Sequence, residues 1–140
     1  MTTEMITMIR LGRDVVSDGR LRALRDKLKM SRNVMSELFH VSPITYARWE
    51  NDNGENLRAL AAEKIGRFYQ QTTAMVEQLE ADGTQVSDLI PFHLAAAAAG
   101  IPNEMLLNRY RSGDFEAVDL GILGLWLHRT DLHRLGIDDQ

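Results

Sequence analysis

SRNVMSELFHVSPITYARWE, residues 31–50, reads as two short helices and the turn between them. Ser31 is an N-cap residue, able to accept from an otherwise unpaired N–H of the first turn. Val34, Met35 and Leu38 follow at the spacing of one apolar helix face. His40 and Val41 form the turn. Ser42 then caps a second helix and Pro43 takes its first position, where the missing proline N–H would have had no helical partner. Tyr46 and Trp49 fall three apart, so they face inward as core. Pro43, Ile44, Thr45 and Arg48 are left on the outward face, within reach of base edges if this helix lies in the major groove of DNA.

Leu21, Leu24 and Leu28 place a further helix ahead of this pair. With Met35, Ser36, Val41, Trp49 and Glu50 their order resembles the Cro and phage-repressor helix-turn-helix family across residues 18–69. The resemblance implies a small residue where the two helices cross, which Ser36 supplies. It also implies Gln after the first cap; Arg32 stands there instead and, as a cationic donor, is expected to grip a phosphate beside Asn33. Arg48 is the expected base reader, because a guanidinium pairs bidentately with guanine. Ile44 and Thr45 are expected against a thymine methyl or a phosphate. Ser42 acts as a cap and is also able to donate to the DNA backbone.

The formal net charge of −4 is unusual for a DNA-binding protein until it is divided along the chain. Between Arg10 and Arg48, nine Lys and Arg face only Asp14, Asp18, Asp26 and Glu37. That segment is able to neutralise phosphates. From Ala81 onward only Arg109, Arg111, Arg129 and Arg134 are basic, against a majority of Asp and Glu. Arg10 and Arg13 precede the first expected helix, which Ser17 or Asp18 would cap; they are placed on an N-terminal arm, residues 1–17, reaching for the minor groove or free of contact. Arg20, Arg22 and Arg25 read as a solvated face. The chain has no cysteine, and its four histidines have no metal-ligand spacing, so no metal or other cofactor is expected. Without a membrane-length apolar run or a signal sequence, the expected location is the cytoplasm.

Residues 56 to about 82 read as one helix with Leu57, Ala61, Ile65, Phe68, Thr72, Met75 and Leu79 at three- and four-residue steps, ended by Gly83. Leu57, Leu60, Ile65 and Phe68 are expected to close the first core. Residues 70–83 then serve as a connecting helix, either spacer or dimer seam. Beyond it, the Ala95 to Ala99 run, the Gly100-Ile101 turn and a helix opening at Pro102-Asn103 suggest a second helix pair. Small side chains there permit close helix crossing, although the run also has the composition of a low-complexity segment. Met105, Leu106 and Tyr110 are expected inward, with Asn103, Glu104, Asn108 and Arg111 outward and Arg109 able to face either way. Asn103 is equally suited to capping, and Glu104 to complementing the helix dipole. Ala117–Leu120 and Leu125–His128 read as two strands, and Thr130 as the cap of a final short helix.

This order resembles the excisionase and MerR-type winged-helix family across residues 88–135, within an expected domain of residues 84–140. The wing tip, Gly121-Ile122-Leu123-Gly124, carries no basic residue, so Ile122 or Leu123 is expected to pack. Two unlike readers joined by a helix resemble the immunity repressors of temperate mycobacteriophages over nearly the whole chain. That resemblance implies a monomer on asymmetric operator and stoperator sites, silencing lytic genes to maintain lysogeny. Independently, two unlike readers on one polypeptide suit a non-palindromic site, whereas a dimer of one reader, paired through the central helix, suits a palindrome. The expected fold is mainly α, and the expected partner is double-stranded DNA, with no membrane. Two other readings remain open: an excisionase-like DNA-bending factor, and an interaction protein or antitoxin. An enzyme is not expected, since no nucleophile elbow, phosphate loop or carboxylate pair stands out.

Overall fold

The computed structural model describes residues 2–55 and 57–135. It is mainly helical with a small antiparallel sheet, and it divides into two compact units, Met1–Gln78 and Leu79–Gln140.

The first unit begins with α1 (Thr3–Ser17), capped by Thr2, whose hydroxyl accepts from the Met5 N–H. The expectation of an arm over residues 1–17 is thereby corrected. Met8, Ile9, Gly12, Val15 and Val16 form a continuous buried stripe, so this segment is a core helix, with Arg10 and Arg13 on its exposed side. Next comes α2 (Arg20–Lys27), whose cap is Gly19 at φ 84 rather than Ser17 or Asp18. The Asp18 carboxylate nevertheless accepts from the Arg20 N–H. Then follow α3 (Arg32–Leu38), α4 (Pro43–Asn51) and α5 (Ala59–Ala81), the last running past the boundary of the unit. Asn56, the expected start of that helix, lies outside the described residues.

Leu57, Ile65 and Phe68 close the first core as expected, but Leu60 is 73% exposed and takes no part in it. Ala62, one turn before Gly66, is buried instead, because the helix passes α1 at backbone contact. A Cβ on Gly12 would stand 1.8 Å from the Ala62 carbonyl oxygen, and one on Gly66 2.0 Å from that of Met8. Thr72 and Val76 are also buried, so of the two roles expected for the second half of the helix, spacer or dimer seam, that of a bare spacer does not hold.

The second unit pairs β1 (Leu89–Pro91) with β3 (Leu125–His128), and β3 with β2 (Val118–Asp119), all antiparallel, in the order β1-β3-β2. The two-stranded wing is thus corrected to three strands. Leu89–Pro91 supplies the extra edge, and the anticipated strand over residues 117–120 shrinks to two residues. Between the strands lie α6 (Phe92–Ala99) and α7 (Asn103–Arg111). Gly100 ends α6 at φ 69, a conformation that suits glycine. Ala95 and Ala96 are buried with Ile90, Leu106, Phe115, Leu127 and Leu132, which makes the alanine run a packed helix rather than a low-complexity segment. Met105 is half exposed, against expectation, since only Leu106 and partly Tyr110 face that core. Short 3-10 helices cover Val86–Asp88, Gly121–Leu123, where Ile122 is exposed, and Arg129–Leu135, the last being the final short helix expected from Thr130, of 3-10 type and starting one residue before it. Among the described residues no helix is long and apolar enough to cross a membrane.

Candidate nucleic-acid interface

Both ends of the α3–α4 turn are fixed by local hydrogen bonds. The Val34 N–H donates to the Ser31 hydroxyl at 3.1 Å, and the Thr45 N–H donates to that of Ser42 at 3.1 Å. Between the helices, the His40 and Val41 N–H groups turn back to the Glu37 and Ser36 carbonyls at 3.1 and 3.0 Å. This is a Schellman closure with His40 at φ 56, where glycine is more usual. Ser36 is buried at the crossing and its hydroxyl donates to the Asn33 carbonyl at 2.6 Å.

The inner side of α4 carries Tyr46, fully buried, and Trp49, half-buried. Both rings lie against Phe39, at centroid distances of 6.2 and 5.7 Å. The outer side carries Ser42, Pro43 and Ile44, the last 67% exposed, with Thr45 partly covered and Arg48 exposed. Asn33 is exposed on α3. Among the described residues the Arg48 guanidinium has no ion pair or hydrogen bond. Its charge is available to a ligand.

Arg32 is differently placed from expectation. Its Nε lies 3.2 Å from Glu50 Oε1 and an Nη donates to Asn51 Oδ1 at 3.2 Å, so it ties α3 to the end of α4. The Arg32 side chain is 35% exposed. Arg25, read from sequence as part of a solvated face, is an interior group. It holds Glu50 bidentately at 2.8 and 3.0 Å and donates to the Met30 carbonyl at 3.1 Å. The Glu50 side chain is only 2% exposed. Burial pushes its carboxyl up, but the bonds from Arg25, the nearby Tyr46 hydroxyl and the charges of Arg25 and Arg32 together bring it below the usual carboxylate value. The Tyr46 hydroxyl is held above its ordinary value, chiefly by burial and then by Glu50. It stands near that carboxylate but outside hydrogen-bond geometry, as a buried group without a partner.

The outer side of α4 opens on a cleft of about 350 Å³ whose walls include Thr45, Arg48, Trp49, Asp52, Leu57 and Arg58. Arg58 was not anticipated. Its only signal in the sequence is a lone basic residue near the start of a helix, and nothing there says that the turn folds it back beside Arg48.

In the second unit Asn103, Glu104, Asn108 and Arg111 all lie on exposed positions of α7. Arg109 is committed internally: Nε pairs with Asp114 at 3.1 Å and an Nη donates to the Arg134 carbonyl at 2.7 Å. Arg129 and Arg134 are likewise engaged, with the Ser87 carbonyl and with Asp131 and the Asp114 carbonyl. That leaves Arg111 as the one arginine of this unit without such a contact among the described residues. By sequence the first unit has twelve Lys and Arg against ten Asp and Glu, and the second has four against ten. No protein-family model, curated protein or solved structure matches this chain.

Proposed function

We propose that the protein is a sequence-specific double-stranded DNA-binding repressor, in which α3, the turn and α4 act as a helix-turn-helix and α4 is the recognition helix. The observation that carries this reading is the outer side of α4. A capped helix presents Ile44, Thr45 and an unpaired Arg48, while Tyr46 is buried in the core and Trp49 lies half-buried against Phe39. A core helix has no use for an unpaired guanidinium there, whereas a guanine edge offers it two acceptors. The exposed Asn103, Glu104, Asn108 and Arg111 of α7 support a second reader in a winged-helix-like unit, and two unlike readers suit an asymmetric site. This is the arrangement that the resemblance to phage immunity repressors implies, with operator occupancy maintaining lysogeny.

The test is selection of bound sequences from random duplex DNA by the full chain, followed by the mass of the complex on the winning site. One chain on an asymmetric site is the expected result. Arg48→Ala is expected to weaken binding to that site by roughly 1–3 kcal/mol and to relax preference at one base position. An unchanged selected motif would remove Arg48 as the base reader. The acidic balance of the second unit, with three of its four arginines spent on internal contacts, favours one rival reading, in which that unit docks a protein instead of DNA. Deleting α7's polar side chains would then leave the selected DNA motif at full length.

A further inference from the structure

We propose that the cleft beside α4 is a phosphodiester-binding site in which Arg58 holds one phosphate of the DNA backbone, with the charge of Arg48 adding to the field while its fork faces the base edge, so that the recognition helix is clamped at its C-terminal end. The inference rests on the DNA-binding reading above and adds to it a residue and a ligand group.

The arginines of the first unit that have structural duties are visibly paired: Arg20 with Asp18, Arg25 and Arg32 with Glu50, Arg67 with Glu63 and Glu4. Arg48 and Arg58 have no such partner among the described residues, although both line one cleft with Asp52. Asp52 lies beyond ion-pair distance of either. Two guanidiniums and one carboxylate leave the cleft with one net positive charge. That matches the single negative charge of a phosphodiester better than the double charge of a free phosphate monoester. Guanidinium forks are also the donors whose geometry fits two phosphate oxygens.

The site is also built rather than merely exposed. The turn that brings Arg58 back to α4 is stitched by three backbone bonds: Gly54 N–H to the Trp49 carbonyl, Glu55 N–H to that of Asp52, and Leu57 N–H to that of Gly54, all at 3.0–3.1 Å. Leu57 is buried and anchors the residue next to Arg58. The Arg58 carbonyl accepts the Ala62 N–H at 2.9 Å, so Arg58 stands where α5 starts and its position is set by a 23-residue helix. A phosphate held there fixes how far α4 lies along the groove, a positioning contact that carries no sequence information of its own.

The experiment measures binding of the full chain and of Arg58→Ala to the selected duplex and to an unrelated duplex over a range of salt concentrations, with circular dichroism confirming that the variant is folded. The expected result is a loss of roughly tenfold on both duplexes alike, a salt slope smaller by about one, and an unchanged preference between them. If wild type binds DNA and Arg58→Ala gives the same affinity and slope, the cleft site is overturned while the DNA-binding reading stands. If wild type binds no duplex, that reading falls and inorganic phosphate becomes the probe, followed through fluorescence of the half-buried Trp49. A phosphate-dependent change that Arg58→Ala abolishes keeps the site as an anion site for a free ligand, and no change in wild type overturns it.

Discussion

Removing Arg25 tests whether the α3–α4 pair is held by a buried ion pair or merely decorated by one. In Arg25→Ala, Glu50 loses two charge-assisted bonds of 2.8 and 3.0 Å, and the Met30 carbonyl loses a donor at 3.1 Å. Glu50 is 2% exposed and Arg25 12%, so water does not replace these contacts. Breaking a buried pair by deleting one partner costs about 3–5 kcal/mol. Arg32 remains 3.2 Å from Oε1 and still compensates part of the charge, which places the expected loss near the lower end, about 3 kcal/mol. In a unit of this size that lowers Tm by more than about 10 °C. Thermal and urea unfolding followed by tryptophan fluorescence reads it directly, since Trp49 lies against Tyr46 beside the pair and Trp126 reports the other unit as an internal control. The Glu50 carboxyl titrates lower in the folded protein than in the unfolded chain. Its stabilisation is therefore complete above the ordinary carboxylate range and is lost as the pH falls through the lower, folded value. In the variant burial is opposed by Arg32 without Arg25, so the deficit narrows on acidification. A loss below about 1 kcal/mol, the range of exposed pairs, with no pH dependence would refute the reasoning.

Gly66→Ala and Gly12→Ala each place a methyl within 2.0 Å of a backbone oxygen on the opposite helix. Side-chain rotation cannot relieve this, so each is expected to cost about 3 kcal/mol, the upper end for overpacking. A urea midpoint close to wild type would show that α1 and α5 separate freely. Thr72→Val exchanges a fully buried hydroxyl that has no hydrogen-bond partner for a methyl of nearly the same shape. It is expected to raise stability by about 1 kcal/mol, and a lower midpoint would mean that the hydroxyl is satisfied.

How far the sequence could be read follows from how local each determinant is. Ser31, Ser42, Pro43 and Gly83 act on their own turn, and each sits where its capping chemistry placed it. The α1 stripe is equally local. Met8, Ile9, Gly12, Val15 and Val16 have helical spacing, but Arg10 and Arg13 drew the segment towards an arm. Leu60 is exposed and Ala62 buried because Gly12 and Gly66 draw the helices to backbone contact, which only the partner helix reveals. The roles of Arg25 and Arg58 depend on partners 25 and 10 residues away, Glu50 in one case and Arg48 in the other, and no period along the chain encodes them. For the same reason the third strand is not legible in the sequence. Leu89–Pro91 is too short to alternate, and it becomes a strand only because β3 offers it an edge.

On the DNA-binding reading the division of charge also divides the work between the two units. The first has unpaired or partly exposed guanidiniums at Arg10, Arg13, Arg32, Arg48 and Arg58, so it is the source of the sequence-independent, salt-sensitive part of affinity. The second has six more acidic than basic residues, and its exposed α7 positions carry two amides, one carboxylate and one available arginine. Such a unit gains little from phosphates and is repelled by them, so it holds DNA only where amide-to-base contacts offset that repulsion. Its contribution is therefore negative on most sequences and favourable on a few. Raising the salt concentration screens the repulsion by the second unit as it weakens the attraction of the first. The share of the total binding free energy supplied by α7's base contacts accordingly grows with salt while total affinity falls.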